Sequence, residues 1–302
     1  MLDSVLHRIE EIQAAGRLLI NEPMSAHTTF RVGGPADALF LADNEQAMIA
    51  VMDICRETNT PMTFIGRGSN LIVRDKGIRG MVIALGEGMS RIERAGNVLI
   101  AGAGASLSAL SAEAARCALT GLEFASGIPG SVGGGVAMNA GAYGGEIKDV
   151  LLDARVYIDG EIRTLNLEQM EMGYRSTLPL RRGAPVLSAR FQLTPGNEQE
   201  IVQKMNELNQ RRRDKQPVNM PSAGSVFKRP EGYFAGTLIE QAGLKGRRIG
   251  DAQVSEKHAG FIVNVGQARA EDVLALIALI QREVKEKFSV SLQTEVRVLG
   301  EE

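Results

Sequence analysis

Residues 127–145 read GIPGSVGGGVAMNAGAYGG, with eight glycines and no Asp, Glu, Lys or Arg. Glycine loses more backbone entropy on folding than any other residue, so this density of glycines requires a structural reason. Apolar residues such as Ile128, Val132 and Met138 lie between the glycines, which indicates a buried backbone. Because glycine has no Cβ, its main-chain N–H groups can surround a bound anion. The stretch therefore predicts a site for a phosphate-bearing cofactor, and the alternative is a tight glycine-rich turn in the core.

A second glycine-rich loop lies upstream, in residues 64–70, which read FIGRGSN. Gly66 and Gly68 flank Arg67. Ser69 and Asn70 add short polar side chains that can bond to phosphate oxygens or to their own backbone. Taken alone, the loop is also consistent with a corner between two strands. Together with residues 127–145 it gives two phosphate-binding loops, enough for the two phosphates of a dinucleotide.

Residues 102–107, which read GAGASL, follow a predicted strand and open a predicted helix. The dinucleotide-binding fingerprint of Rossmann domains has the same placement, but its third glycine allows close packing of helix on strand. Leu107 stands at that third position. The sequence that follows also lacks an alternating strand–helix pattern, so we expect no Rossmann domain.

The overall composition restricts the class of protein. The chain has 302 residues, 44% of them hydrophobic, and a formal net charge of −2. This length predicts two or three domains, and the charge gives no sign of binding to nucleic acid or to an anionic membrane. No apolar run is long enough for a membrane span, and residues 1–17 lack the apolar core of a signal peptide. We therefore expect a cytoplasmic protein.

Cysteine and histidine are rare in the chain. Cys55 and Cys117 both lie in predicted helices, and we expect them to be reduced core residues. His7, His27 and His258 are the three histidines, and none has a partner at the spacing of metal ligands, so no metal site is expected. We expect His258 to have a structural or pocket-lining role and not to act as an acid.

The periodicity of apolar residues predicts an α+β fold. Asp159-Gly160, between two runs of alternating apolar residues, is typical of a two-residue hairpin turn. Helices are predicted at residues 3–14, 43–59 with Asp43 as N-cap, 106–121 with Ser106 as N-cap, 197–217 with Asn197 as N-cap, 235–242 and 270–288.

Six motifs occur in order along the chain: TTFRVGG (28–34), GRGSNLIVRD (66–75), SGIPGSVGGGVAMNAGAYG (126–144), GYRST (173–177), AGSVFKRP (223–230) and TEV (294–296). This set resembles the bacterial UDP-N-acetylenolpyruvoylglucosamine reductase family. The resemblance implies a vanillyl-alcohol-oxidase-type FAD-binding fold of two α+β subdomains, followed by a C-terminal α+β substrate-binding domain. Some members carry a long insertion after the YRxS motif. Here LPLRRGAP follows at residues 178–185, so the chain resembles the shorter subtype.

The resemblance also implies the reaction, in which UDP-N-acetylglucosamine enolpyruvate is reduced to UDP-N-acetylmuramate with NADPH during peptidoglycan precursor synthesis. Hydride addition to the terminal enolpyruvyl carbon leaves negative charge beside the substrate carboxylate, which requires cationic or hydrogen-bonding groups and a proton donor. By resemblance, Arg175 and Glu295 hold the carboxylate end and Ser225 donates the proton. From the residues alone, the three are also consistent with a hairpin salt bridge, a solvent-facing strand residue and a loop hydroxyl, respectively.

The resemblance extends to ligand contacts. FAD is expected to be noncovalent, because neither glycine-rich loop contains His or Cys. The implied FAD-binding residues are Ile65, Gly66, Arg67, Gly68, Ser69, Asn70, Gly127, Ile128, Pro129, Gly130, Ser131, Gly133, Gly134, Asn139, Ala140 and Gly141. The implied substrate contacts are Tyr174, Arg211, Lys215 and Lys228. From the residues alone, the basic stretch 211–215 is also consistent with a solvated helix end.

We expect FAD-binding subdomains at residues 1–84 and 85–196, and a substrate-binding domain at 197–302 whose last strand, 292–299, returns Glu295 to the site. We also expect a monomer that binds neither nucleic acid nor membrane. One alternative is a flavin-dependent oxidase of the same fold, which needs a base where this chain offers Ser225. The other is a regulator that binds flavin or a sugar nucleotide without turnover, and the joint presence of Arg175, Ser225 and Glu295 argues against it.

Overall fold

The computed structural model describes residues 2–302 as a mixture of helices and strands. The helices are α1 Leu2–Glu11, α2 Glu45–Glu57, α3 Leu107–Arg116, α4 Val132–Ala137, α5 Leu178–Arg182, α6 Glu198–Lys215, α7 Ala235–Gln241 and α8 Ala270–Phe288. The strands are β1 Gly16–Pro23, β2 Pro35–Ala42, β3 Met62–Ile65, β4 Leu71–Val73, β5 Ile78–Leu85, β6 Ile92–Ala95, β7 Val98–Gly102, β8 Leu119–Thr120, β9 Gly141–Ala142, β10 Gly145–Glu146, β11 Leu151–Ile158, β12 Glu161–Asn166, β13 Val186–Gln192, β14 Thr194–Pro195, β15 Arg248–Ile249, β16 Ala252–Val254, β17 Ile262–Asn264 and β18 Arg297–Leu299. None of these helices combines the length and the apolar character that crossing a membrane requires.

The chain forms two compact units, each built from three separate segments. The first unit comprises Met1–Leu19, Ala38–Arg67 and Gly80–Arg211, and the second comprises Ile20–Asp37, Gly68–Arg79 and Arg212–Glu302. An antiparallel sheet in the order β12-β11-β13-β7-β6 lies in the first unit. The second unit contains the antiparallel sheet β15-β16-β17 and the parallel pair β4–β18. A further sheet has the order β1-β2-β5-β3, with β3 parallel to β5.

Three hydrophobic cores organise these units. In the first unit, one core surrounds Phe40 and Met48, and another surrounds Leu110 and Phe191. In the second unit, Phe30 and Ile72 from the N-terminal part pack with residues 223–296. The predicted three-domain division of the chain does not coincide with the two units, because residues 20–37 and 68–79 belong with the C-terminal part. The assignment of roles to the three predicted domains stays a prediction.

Several local predictions are confirmed. Asp159 and Gly160 have φ of 54° and 87° and join β11 to β12, with Ile158 opposite Glu161, as the hairpin signal requires. Helix α8 has the predicted bounds. Ser106 caps α3 by accepting a hydrogen bond from the N–H of Ala109 at 3.0 Å.

Two helix ends differ from prediction. Asn44, and not Asp43, caps α2, because its side-chain oxygen accepts the N–H of Ala47 at 2.8 Å. Helix α3 ends at Arg116 and does not continue to Gly121. Ala118 takes a left-handed conformation with φ of 54°, and the next residues form β8, which pairs with β14. Strand pairing with a distant segment therefore determines where α3 ends, and local helix signals do not report it.

The last strand is shorter than the predicted 292–299. Only Arg297–Leu299 form β18, which pairs with β4. The preceding residues bond to a different segment: the N–H of Lys228 donates to the carbonyl of Gln293 at 2.9 Å, and the N–H of Glu295 donates to that of Val226 at 2.7 Å. Because the chain changes partner at this point, Glu295 lies just before the strand.

Candidate active site

The glycine cluster of the first unit, residues 127–145, contains the short helix α4, which Ser131 caps. Ser131 is buried, and its Oγ accepts the N–H of Gly134 at 3.2 Å at the start of α4. A Cβ on Gly133 would lie 2.8 Å from the Cβ of Ala103, and one on Gly135 would lie 2.9 Å from Leu107 Cδ1. These two glycines therefore allow the helix to pack closely on residues 103–107.

Residues 102–107, which resemble part of a dinucleotide-binding fingerprint, pair with the glycine cluster 127–145. The N–H of Val132 donates to the carbonyl of Ala105 at 2.7 Å, and the N–H of Gly133 donates to that of Ala103 at 2.9 Å. In return, the N–H of Leu107 donates to the carbonyl of Gly130 at 3.1 Å. Residues 102–107 thus support the cluster through main-chain bonds, and these bonds occupy the amides of Val132 and Gly133.

The N–H groups of Gly130 and Ser131 are left for a ligand, since neither has a hydrogen-bond acceptor within the described residues 2–302. Gly130 has φ of 150°. Gly66, from the other predicted phosphate loop, lies beside them, and a Cβ built on it would be 2.6 Å from Ser131 Oγ. The first unit therefore brings Gly66 against the start of α4, as binding of one phosphate-bearing group by both loops requires.

The remainder of the GRGSN loop belongs to the second unit. Gly68 has φ of 63°, and a Cβ there would be 2.0 Å from the carbonyl oxygen of His27. Asn70 Nδ2 donates to the carbonyl of Glu295 at 3.2 Å, and the N–H of Arg297 donates to the carbonyl of Asn70 at 3.0 Å. The close backbone contact of Gly68 and the hydrogen bond of the Asn70 amide thus stabilise the second unit. A branched side chain at Gly68 would disturb the backbone whether or not a cofactor is bound.

Ser225 and Glu295 lie on neighbouring backbone segments of the second unit. Ser225 forms an isolated bridge to Phe261, and the N–H of Val226 donates to the carbonyl of Gly260 at 2.9 Å. On the other side, the carbonyl of Val226 accepts the N–H of Glu295. Both Ser225 and Glu295 are half-buried. The structure therefore brings together two of the three residues predicted to carry the chemistry.

Arg175, the third of these residues, lies in a tight turn of the first unit. The turn closes through the N–H of Gly173, which donates to the carbonyl of Ser176 at 2.8 Å. Arg175 itself has φ of 54°, a left-handed conformation that costs an L-residue about 1–2 kcal/mol. Its guanidinium lies 5.0 Å from the ring centroid of Tyr174, which is half exposed. A strained residue that presents a cation at a turn is typical of a functional position.

The predicted diphosphate contacts belong to different parts of the structure. Arg211 lies near the end of α6, with its guanidinium 5.1 Å from the ring centroid of Tyr143. Lys215 is the exposed last residue of α6. Lys228 is half-buried beside the Ser225 segment, where its N–H bonds to Gln293. Sequence reasoning missed Tyr143 as a candidate, although an aromatic residue in so glycine-rich a stretch was a signal for it.

His258 and Cys55 lie in environments that favour a structural role. Burial lowers the pKa of His258, whose Nδ1 accepts the N–H of Gly260 at 3.1 Å and whose ring packs edge-on to Phe261. This arrangement favours a neutral histidine that supports the Ser225 segment from behind. Burial also raises the pKa of the Cys55 thiol to about 11, so this cysteine is not an activated nucleophile.

Similarity to known protein families identifies the class of protein that has this site. A model described as FAD binding domain matches residues 36–166, which include both glycine-rich loops. The fold and the site thus define a flavoprotein. A second model, the C-terminal domain of UDP-N-acetylenolpyruvoylglucosamine reductase, matches residues 216–299.

Relatives over the full length specify the family. The UDP-N-acetylenolpyruvoylglucosamine reductase of Agathobacter rectalis is 53% identical, and the alignment covers 94% of each chain. That of Lachnoclostridium phytofermentans is 49% identical over 100% of this chain and 99% of the relative. The crystal structure of the Thermus caldophilus enzyme superimposes with a TM-score of 0.80 at 38% identity, covering 94% of this chain and 98% of that one. The chain belongs to the UDP-N-acetylenolpyruvoylglucosamine reductase family. The predicted α+β fold with a vanillyl-alcohol-oxidase-type FAD-binding part is thereby confirmed.

Proposed function

We propose that this chain is an FAD-dependent reductase that converts UDP-N-acetylglucosamine enolpyruvate to UDP-N-acetylmuramate with NADPH, in the synthesis of peptidoglycan precursors. The observation that carries the proposal is family membership over the full length, joined to the pairing of the Ser225 and Glu295 segments. The absorption spectrum of the purified protein is the first test. Flavin bands that disappear with NADPH and return with the enolpyruvyl substrate are expected, and a colourless protein that is inactive after incubation with FAD would contradict the proposal.

The residues of the glycine-rich loops fit FAD. Gly130 and Ser131 offer two amide donors, and Gly66, which has no Cβ, lies closely against the Ser131 side chain. These groups would hold a phosphate of the cofactor. The GRGSN loop would contact the cofactor through its backbone and Ser69, since the Asn70 amide is already bonded to Glu295. When bound, FAD transfers the hydride of NADPH to the terminal carbon of the enolpyruvyl group. With no His or Cys in either loop, the cofactor is held without a covalent bond.

Three side chains would serve the chemistry at the substrate. Arg175 would bind the carboxylate next to the carbon on which negative charge develops, and would stabilise that charge. Glu295 would contribute a second hydrogen bond at the same end. Ser225 would deliver the proton to the carbon, and solvent or a neighbouring group would replace it. Tyr174, Arg211, Lys215 and Lys228 would bind the diphosphate.

An oxidase of the same fold is the second candidate within enzymes, and a non-catalytic binding protein is the third. Family membership favours neither. An oxidase passes electrons to oxygen, so rapid consumption of oxygen by the NADPH-treated protein without the enolpyruvyl substrate would support it. We further propose that the enzyme works in the cytoplasm, because NADPH and the sugar nucleotide are cytoplasmic metabolites and the net charge of −2 offers no field for a membrane or nucleic acid. The monomeric state stays a prediction.

Gly66→Ala is expected to weaken FAD binding by about tenfold or more, because its Cβ would displace Ser131, whose N–H is proposed to bind phosphate, and overpacking costs about 1–3 kcal/mol. The measurement is the FAD content of the purified protein and its dissociation constant on refolding with FAD. Gly96→Ala is the control for FAD content, because a Cβ at Gly96 meets no atom within 4 Å, and its φ of 64° is expected to lower only the stability of the fold. The double variant Gly66→Ala/Ser131→Ala removes the clashing Oγ and leaves the new Cβ 3.8 Å from that of residue 131. The double variant should therefore recover FAD, and a normal FAD content in Gly66→Ala alone would contradict the prediction.

NADPH and the sugar nucleotide are expected to use one site in turn. The sequence offers no Rossmann fingerprint for a second nucleotide, because Leu107 replaces its third glycine. Initial-velocity plots should therefore give the parallel lines of ping-pong kinetics, and excess enolpyruvyl substrate should inhibit competitively against NADPH. Intersecting lines would instead indicate that both bind at once.

A further inference from the structure

The side-chain amide of Asn139 joins the Arg175 turn to the hairpin β9–β10. Asn139 is completely buried and has φ of 43°. Its Nδ2 donates to the carbonyl of Gly173 at 3.1 Å and to Glu146 Oε2 at 3.0 Å. Its Oδ1 accepts the N–H of Lys148 at 3.0 Å. The side chain predicted to bind cofactor is thus used within the protein, where it fixes the start of the turn that carries Arg175.

The main-chain carbonyls of Asn139 and Gly141 accept hydrogen bonds from the Arg175 guanidinium. Nη1 donates to the carbonyl of Asn139 and Nη2 to that of Gly141, both at 3.4 Å, which is long for a hydrogen bond. Gly141 pairs with Glu146 in the hairpin β9–β10. The guanidinium therefore lies beside the strand that carries Glu146.

Glu146 supplies the negative charge in these surroundings. A hydrogen bond from Lys148 Nζ at 2.9 Å is the main cause that holds the pKa of Glu146 below its usual range, with further contributions from the Asn139 amide and from the charge of Arg175. Glu146 is therefore ionised at neutral pH, and it stands opposite Gly141, whose carbonyl accepts the hydrogen bond from Arg175 Nη2. Its position is fixed from two sides, by the buried amide of Asn139 and by the ammonium of Lys148.

We propose that Glu146, held by Asn139 and Lys148, is a positioning residue that orients the Arg175 guanidinium toward the substrate carboxylate. The inference rests on the proposed function, because it takes the binding of that carboxylate as the task of Arg175. Glu146 also has a structural contact, a capping box with Asp149 at the start of the short turn Ile147–Asp149, which glutamine can keep because its side-chain oxygen also accepts. The hairpin is already closed by main-chain pairing of Gly141 with Glu146 and of Ala142 with Gly145, which needs no carboxylate.

The test is the variant Glu146→Gln in two backgrounds, the wild-type holoenzyme and Arg175→Ala. Glutamine keeps an oxygen that can accept from Asn139 but removes the charge. In the wild-type background, we expect the return of flavin absorbance on adding enolpyruvyl substrate to slow by about 10–100-fold, as misplacement of a substrate-binding group does. Bleaching by NADPH, FAD content and melting temperature should stay unchanged. Glu146→Asp should recover part of the rate, because it restores the charge.

The second background decides whether Glu146 acts through Arg175. In Arg175→Ala, adding Glu146→Gln should have no further effect, since residues that act as one unit are not additive. Glu161→Gln, which breaks an exposed ion pair with Arg163 in the same unit, is the control and should leave all rates unchanged. An equal slowing in both backgrounds, or a loss of FAD or of melting temperature in Glu146→Gln, would overturn the inference. If Arg175→Ala alone leaves the substrate step unchanged, the role proposed for Arg175 is wrong, whereas a slow Arg175→Ala with a normal Glu146→Gln refutes only the present inference.

Discussion

Ser225→Ala is expected to separate the two half-reactions. NADPH should bleach the flavin at nearly the wild-type rate, because hydride transfer to FAD needs no proton from this position. The step with the enolpyruvyl substrate should slow by about 10²–10⁴, the usual effect of losing a general acid. Stopped-flow absorbance measures both steps in the same sample.

Two further variants control this result. Ser291→Ala changes an exposed serine of the same unit and should leave both half-reactions unchanged. Glu295→Gln keeps one hydrogen-bond donor and should slow the substrate step less than Glu295→Ala does. If Ser225→Ala slows bleaching and spares the substrate step, Ser225 positions flavin or nicotinamide, and the proton donor must be sought elsewhere, with His258 the first alternative.

Arg175→Gly is expected to stabilise the fold relative to Arg175→Ala while both variants lose the substrate step. Both remove the guanidinium, and loss of one group that stabilises developing charge costs about 10²–10³ in rate. Only glycine also removes the Cβ from a residue with φ of 54°. We therefore expect a free energy of unfolding about 1 kcal/mol higher for Arg175→Gly than for Arg175→Ala in urea titration.

Ala118→Gly provides the matched control for this prediction. Ala118 also has φ of 54°, and it lies between α3 and β8, apart from the residues proposed to bind ligands. Its replacement should raise stability by a similar amount and leave both half-reactions unchanged. Equal stability of Arg175→Gly and Arg175→Ala would show that the turn at Arg175 is not strained, and a normal substrate step in either would remove Arg175 from the mechanism.

The sequence by itself determined the turns, helix caps and close backbone contacts that depend on neighbouring residues. The hairpin at Asp159-Gly160 depends on two adjacent residues that favour positive φ, and the cap of α3 depends on Ser106 and its nearest neighbours. The glycine clusters mark places where backbones approach closely, and together with the spacing of the motifs they indicate a flavoprotein and its family. Such features are determined by residues a few positions apart, so no knowledge of distant contacts is needed to infer them.

The tertiary structure alone decided which of these groups meet. Glu295 reaches the Ser225 segment because the carbonyl of Val226 accepts its N–H, a bond between residues far apart in the sequence. Asn139 has a side chain that could bind a cofactor, yet its amide group forms hydrogen bonds to Gly173, Glu146 and Lys148 within the protein. The sequence lists donors and acceptors, but a buried polar group must bond to whatever partner the packing of distant segments brings within reach. That pairing is a property of the folded chain as a whole, and local patterns do not contain it.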